Sequence, residues 1–283
     1  MKHQTALILE GGGMRGAYTT GVLDFFLEKG IVFDACYAVS AGAGHACSFL
    51  SGQKGRAIRV NVNYLNNWRY CSVRSLLTTG CYFGTDFIYK TIPEQLDLFD
   101  YKTFAEKKTK FYACVTNVET AMAEYLPVND LRADYMKVAA SSSLPFISKI
   151  AEIDGGKYLD GGFADSIPVK KAMDDGYDKF VVVLTQPYGY QKKEVSFPGI
   201  FKQFYKKYPK FVATAINRPD MYNKTTQAVN EWEQEGKIFV VRPQTSLNIG
   251  RLEKNGEKLL HLHTVGYNDM KAKEEQLTKY LQS

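Results

Sequence analysis

The 283-residue chain holds no run of 18 uncharged apolar residues, so no segment is expected to cross a membrane as a helix. Its N-terminal stretch, MKHQTALILEGGG, is too short in apolar residues for a signal peptide. Cysteine is sparse and odd in number (Cys36, Cys47, Cys71, Cys81 and Cys114), and no C-x-x-C pair occurs. That pattern speaks for reduced thiols and against a disulfide framework. It also lacks the spacing of a metal cluster. Together these absences set the expectation of a soluble, cytoplasmic protein with no bound metal. There are four histidines, which limits the candidates for a catalytic base. There is no internal repeat and no low-complexity tract.

Hydrophobic residues make up 45 % of the chain, enough for a sizeable core. The net charge of +6 allows an anionic partner or a membrane surface without requiring either. With no nucleic-acid-binding motif present, nucleic acid is not expected as a partner.

The pattern reads as an α/β fold. Residues 6–9 form a short apolar run before glycines, consistent with a buried parallel strand. A helix is expected next, over residues 16–29. Residues 35–39 form a second strand, leading through a sharp turn into a helix that runs to about residue 50. Strand and helix alternating at this pitch predict a mostly parallel sheet covered by helices. KFYACVTNV, AEYLPV and KYLDGG read as further strands. A helix after Asp130 ends before Pro145, and a helix opened by Pro168 precedes a buried strand over residues 180–184. Composition shifts near residue 188. Residues 1–188 are therefore expected to form a catalytic-type core, and 189–283 a mainly helical extension packed on it, with KIFVVRP as a last strand.

Gly11, Gly13 and Gly16 satisfy G-x-G-x-x-G, the dinucleotide fingerprint. A dinucleotide fold also needs an acidic residue at the end of the second strand. Asp34, the candidate by spacing, comes before that strand. A phosphate-binding P-loop is excluded because no Lys-Ser or Lys-Thr comes after the glycines.

The residue directly after the second strand is Ser40, in Ala38-Val39-Ser40-Ala41-Gly42. A serine on a tight strand-to-helix turn among small residues is a nucleophile elbow, here with alanine at the −2 position where glycine is usual. Both turns are expected at the carboxyl ends of neighbouring strands. There, backbone N–H groups of Gly11, Gly12 and Gly13 can approach a developing oxyanion, and the dipole of the next helix points the same way. The histidines are poor partners for the serine. His45 lies roughly 140° around its helix from Ser40, at about 100° per residue. His3 precedes the first strand, and His261 and His263 sit in a polar helix; each is expected to be structural. A carboxylate remains. Asp160 ends a short strand before Gly161 and Gly162, whose turn allows another loop to come close. As a base it needs a partly dry pocket, because an ordinary aspartate near ~3.9 is weak at neutral pH.

Taken together, GGGMRG (residues 11–16), SAG (40–42) and DGG (160–162), with SSSLPF (141–146), resemble the patatin-like phospholipase family, over about residues 6–184. The resemblance implies a Ser-Asp dyad of Ser40 and Asp160 and an oxyanion hole from Gly11, Gly12 and Gly13. It implies hydrolysis of lipid or other carboxylic esters through an acyl-serine, with no cofactor or metal. Arg15 matches the family's loop arginine, and Gly42, Gly161 and Gly162 support the two turns. The last part of the chain looks like the extension of a bacterial subgroup. A non-catalytic lipid- or nucleotide-binding protein using the same glycine loop is the alternative reading, and a dinucleotide-dependent oxidoreductase a third.

Three further residues and one segment carry expectations. Asp165 is expected to cap the helix after it. Asp154 shares the D-G-G form but reads as a hairpin turn. Asp160 is preferred because its context continues into a helix as in the family. Cys47 is expected to be buried filler. In residues 197–211, lysines alternate with aromatics. Either this stretch lies on a lipid surface, making a transient membrane contact, or it buries Phe201, Phe204 and Tyr208 against the core; the second is the expectation.

Overall fold

The computed structural model describes residues 3–246 and 248–283. Short runs of apolar and β-branched residues fold as the strands β1 (Thr5–Leu9), β2 (Ala35–Val39), β3 (Lys110–Asn117), β4 (Ala123–Pro127), β5 (Ala151–Ile153), β6 (Gly156–Asp160), β7 (Lys179–Val183) and β8 (Phe239–Val241). They join in one sheet of order β5-β6-β3-β2-β1-β7-β8, with β4 also paired to β3. The run β3-β2-β1-β7-β8 is parallel throughout. At the other edge, β4 and β6 both run antiparallel to β3, and β5 to β6.

The centre of this sheet is covered on both faces, as continuous apolar strands require. Leu7, Leu9, Cys36 and Val181 face one layer, which holds Tyr18, Phe25 and Phe26 of the helix α1 (Ala17–Glu28). Ala6, Ile8, Tyr37 and Val182 face the other, with Tyr222 and Val229 of the helix Pro209–Gln234. The helix α2 (Ala41–Leu50) leaves β2 at Ser40.

The stretch after residue 188 is built into this frame. β8 extends the sheet beside β7. The helix Gly256–Ala272 lies against α1 so closely that a Cβ at Gly21 or Gly266 would collide with the opposing backbone. Thr20 Oγ1 and His263 Nδ1 meet at 2.9 Å across this contact, and His263 Nε2 lies 3.6 Å from Asp24.

Phe204 departs from the sequence expectation. The helix Pro198–Phe204 does not bury Phe204, which is 69 % exposed, and its neighbour Phe197 is 70 % exposed. Tyr205 takes the inward position instead, its phenol accepting the Phe146 N–H at 3.0 Å. Phe201 and Tyr208 are only partly buried. Helical spacing showed which residues share a face; it could not show that the chain after β7 offers only Tyr205 and its neighbours a core to enter.

Candidate active site

Ser40 occupies the turn between β2 and α2 with φ 55° and ψ −125°. This is a conformation that a residue with a side chain adopts only under constraint. Two devices hold it. Ser141 Oγ accepts the Ser40 N–H at 2.9 Å and donates its own hydrogen to the Cys114 carbonyl at 2.6 Å. Gly42 packs on the Leu9 and Glu10 backbone, where a Cβ would sit 2.9 Å from the Glu10 carbonyl. Ala38, at −2, is fully buried in the sheet. Alanine therefore fits where glycine is usual.

The glycine loop comes directly after β1, the strand beside β2. Gly11 abuts the serine, with only 2.8 Å between its Cβ position and Ser40 Cβ. Gly13 has φ +57°, which a residue without a Cβ reaches at little cost. The N–H of Met14 is used by the Arg251 carbonyl (3.1 Å), and that of Arg15 by the Gly12 carbonyl (3.3 Å). Among the described residues no acceptor takes the N–H groups of Gly11, Gly12 or Gly13, so these donors stand available beside Ser40.

Asp160 closes β6, opposite Val115 of β3, and is 2 % exposed. Its Oδ1 accepts the Gly162 N–H at 2.8 Å, and its own N–H is held by the Ser143 carbonyl at 2.8 Å. Gly161 packs on Cys114 of β3 and Gly162 beside Arg218. Burial raises the Asp160 pKa above the ordinary aspartate value. The Ser40 hydroxyl, the Arg218 charge and the Gly162 N–H pull it back down. Asp160 is thus shielded from solvent.

Two cavities meet at Ser40, sharing Gly13, Ser40 and Leu144. One, of about 160 Å³, is largely apolar and includes Val60, Phe83, Ile88 and Phe99 on its walls. The other, of about 30 Å³, holds Gly11, Gly12, Asp160 and Gly162 together with the basic residues Arg15, Lys192, Arg218 and Arg251. It continues outward into an open groove past Leu144, Phe146 and Phe201.

The candidate residues Ser40, Asp160, Gly11, Gly12, Gly13, Arg15 and Gly162 therefore come together around one small cavity. Asp34 lies at the opposite end of the sheet, where its Oδ2 accepts the Thr5 N–H at 2.7 Å. Burial pushes the imidazole of His45 down to about 4, so it is neutral. His263 is occupied with Thr20 and Asp24. Asp154, at φ 50°, forms the β5–β6 turn. Cys47 is buried and touches the apolar cavity. Asp165 does not cap the helix Val169–Asp174, whose first flanking residue is Pro168. Its Oδ1 accepts the Ile167 N–H at 3.1 Å, and its Oδ2 takes the Tyr125 hydroxyl at 2.7 Å. Among the described residues no group of three or more His, Cys, Asp or Glu is placed to hold a metal ion.

Lys192, Arg218, Arg251 and Ser141 escaped the sequence reading. The three cations lie some 180–240 residues beyond the glycine loop and carry no local motif. Ser141 was visible only as the first letter of SSSLPF.

Residues 7–173 match the family model of patatin-like phospholipases, and residues 208–282 match a domain of unknown function, DUF6363. Over 188 residues the chain is 32 % identical to the uncharacterized protein YjjU of Escherichia coli K12, covering 64 % of this chain and 52 % of that one. Over 186 residues it is 26 % identical to the lysophospholipase nte1 of Aspergillus niger, covering 62 % of this chain and 11 % of that one. The match thus spans about half of the first relative and a small part of the second. The crystal structure of VipD from Legionella pneumophila aligns with a TM-score of 0.46 at 13 % identity, over 100 % of this chain and 67 % of that chain.

Proposed function

The chain belongs to the patatin-like phospholipase family, and on that footing we propose that it is a serine acyl hydrolase of lipid carboxylic esters working through Ser40 and Asp160. The observation that carries the reading is the constrained Ser40 sharing a buried cavity with Asp160 and with the unclaimed N–H groups of the glycine loop.

In this reading the acyl chain occupies the apolar cavity and the ester carbonyl lies at Ser40. Ser40 Oγ attacks the carbonyl carbon while its proton passes to Asp160. The carbonyl oxygen becomes an oxyanion and is held by the N–H groups of Gly11, Gly12 and Gly13; a single such donor is worth ~3–4 kcal/mol in a well-studied case. The ester C–O bond then breaks, and the leaving alcohol takes the proton back from Asp160. An acyl-serine remains. Water attacks it, again giving its proton to Asp160. Collapse of the second intermediate frees the acid and restores the Ser40 hydroxyl. Ala41, whose N–H opens α2 directly after the nucleophile, is a further donor at the same oxyanion.

The substrate is a phospholipid, lysophospholipid or acylglycerol. A relative named as a lysophospholipase supports that class. A transient lipid-surface contact is part of the proposal: Phe146 lines the groove and packs edge-on against Phe204, Phe146, Phe197, Ile200 and Phe204 are exposed, and Lys202, Lys206, Lys207 and Lys210 lie between or just after them. Aromatics interleaved with lysines suit an anionic interface. Among the described residues no helix is long and apolar enough to cross a membrane. The five free cysteines support a reducing compartment, the cytoplasm.

The test is turnover of an ester series from water-soluble p-nitrophenyl esters to lysophospholipids. Hydrolysis by the wild type that Ser40→Ala abolishes is expected; equal rates in both proteins would refute the assignment.

A further inference from the structure

Buried arginines elsewhere in this chain are paired with carboxylates, Arg56 with Asp97 at 3.4 Å and Arg242 with Glu233. The four basic side chains around the small cavity are not. Among the described residues no carboxylate oxygen lies within salt-bridge distance of Arg15, Lys192, Arg218 or Arg251. Arg15 Nε is buried without any acceptor. Arg218 gives its Nε–H to the Gly162 carbonyl at 2.5 Å and stacks 4.5 Å from the Phe163 ring, while no acceptor among the described residues takes its two terminal nitrogens. The Lys192 ammonium rests 3.0 Å from the centre of the Tyr222 ring. Arg251 is fixed over the glycine loop by its carbonyl bond to Met14.

Two buried carboxylates, Glu10 and Asp160, face these four basic side chains. Glu10 is already occupied by the Thr185 N–H and hydroxyl and by the Tyr222 hydroxyl. Guanidinium charge held partly out of water without a carboxylate partner is costly unless a ligand supplies the anion. Guanidinium forks aimed into a cavity fit the oxygens of phosphate.

We propose that Arg15, Lys192, Arg218 and Arg251 form an anion subsite for a phosphate carried on the alcohol portion of the ester, so that phosphorylated acylglycerols are preferred over neutral ones. The substrate assignment rests on the hydrolase reading; anion binding itself rests on the cluster alone. The two cavities meeting at Ser40 match the two halves of such an ester, one apolar for the chain and one cationic for the head. Only Arg15 belongs to the patatin-matched region. Arg218 and Arg251 come from the region of unknown function and Lys192 from the segment between the two. The C-terminal region therefore acts as the specificity element of the site.

Burial, and next the Arg218 charge, bring Lys192 down to about 6; Arg251 and Arg15 add to this and Glu10 opposes it. With the subsite empty, Lys192 is mostly neutral at pH 7.5. An arriving anion raises its pKa, so binding takes up a proton.

The experiment has two arms. In the first, full-length Ser40→Ala protein is titrated calorimetrically with glycerol 3-phosphate at pH 7.5, in buffers of different ionisation enthalpy. Binding with net proton uptake is expected. Arg251→Gln is expected to weaken it tenfold or more, and Lys192→Met to weaken it and abolish the uptake. Thermal melts show that each variant is folded. No binding, or binding that neither substitution changes, overturns the subsite. Inorganic phosphate binding as tightly as glycerol 3-phosphate overturns its assignment to a substrate group and makes it a site for free phosphate.

In the second arm, kcat/KM for a 1-acylglycerol 3-phosphate is divided by that for the monoacylglycerol of the same chain. A ratio of at least ten that falls toward one in Arg251→Gln supports the proposal, and a wild-type ratio near one overturns it. Glycerol 3-phosphate binding without turnover of any ester would retain the subsite and remove the hydrolase; turnover without the preference would do the reverse.

Discussion

The phenol of Tyr222 donates a hydrogen bond to Glu10 Oε1 across 2.8 Å, with both side chains buried. Glu10 directly precedes the glycine loop, and Tyr222 stands on the long helix of the C-terminal region. The bond fastens that region to the loop. Tyr222→Phe keeps the ring and removes the donor, leaving a buried carboxylate oxygen unpaired, at a cost of ~1–3 kcal/mol. A lower urea midpoint together with a slower enzyme is expected. Unchanged stability would mean that the bond holds nothing.

Asp160 links activity and stability to pH with opposite signs. In the proposed mechanism it acts ionised, so kcat/KM is expected to rise with pH and level off above a pKa lying higher than that of an ordinary aspartate. For folding, a carboxyl whose native pKa is raised favours the folded state below its unfolded pKa, and that contribution is lost as pH rises through the native value. Wild type therefore bears the cost of the charged form at neutral pH. Asp160→Asn is expected to melt higher than wild type at pH 7, with the gap narrowing toward pH 4, while losing activity at least a hundredfold. A lower melting temperature at pH 7 would show that Arg218 and Arg251 more than offset the burial.

Much of this site was readable because it is local. A strand, a tight turn and a helix within a dozen residues announce both the glycine loop and Ser40, and β2 falls on residues 35–39 as read. The D-G-G turn at Asp160 is similarly local. The unread part depends on distant segments meeting. Lys192, Arg218 and Arg251 reach the cavity from the loop after β7, from the helix Pro209–Gln234 and from the segment after β8, three places far from the glycine loop in sequence. Asp165 turned toward Tyr125 on β4, and Phe204 turned outward. Helical period shows which residues share a face, and the rest of the fold decides whether anything covers it. Residues 51–109 carry no sequence expectation above. They hold short helices and a wide-turned helix, Phe87–Leu96, with Pro93 inside it.

The apolar cavity sets chain length if it receives the acyl group. Ile88, on that wide-turned helix, lies on its wall. Ile88→Trp fills part of it, and an apolar pocket discriminates by ~1–3 kcal/mol per methylene. Activity on long-chain esters is expected to fall tenfold or more relative to butyrate. A parallel loss on all chain lengths would place the chain elsewhere.

Phe197 and Phe204 test the lipid-surface contact. Replacing both by glutamate removes apolar area and opposes the neighbouring lysines. Co-sedimentation with phosphatidylglycerol vesicles is expected to drop severalfold, with turnover of a soluble p-nitrophenyl ester retained. Undiminished vesicle binding would remove this face from the interface.

The most direct test of the central claim is labelling with a fluorophosphonate probe, which reacts only with an activated serine. Folded wild type is expected to label, Ser40→Ala not at all, and Asp160→Asn at least a hundredfold more slowly. Labelling that survives Ser40→Ala, or a folded wild type that stays unlabelled both in solution and on lipid vesicles, would contradict a Ser40–Asp160 hydrolase.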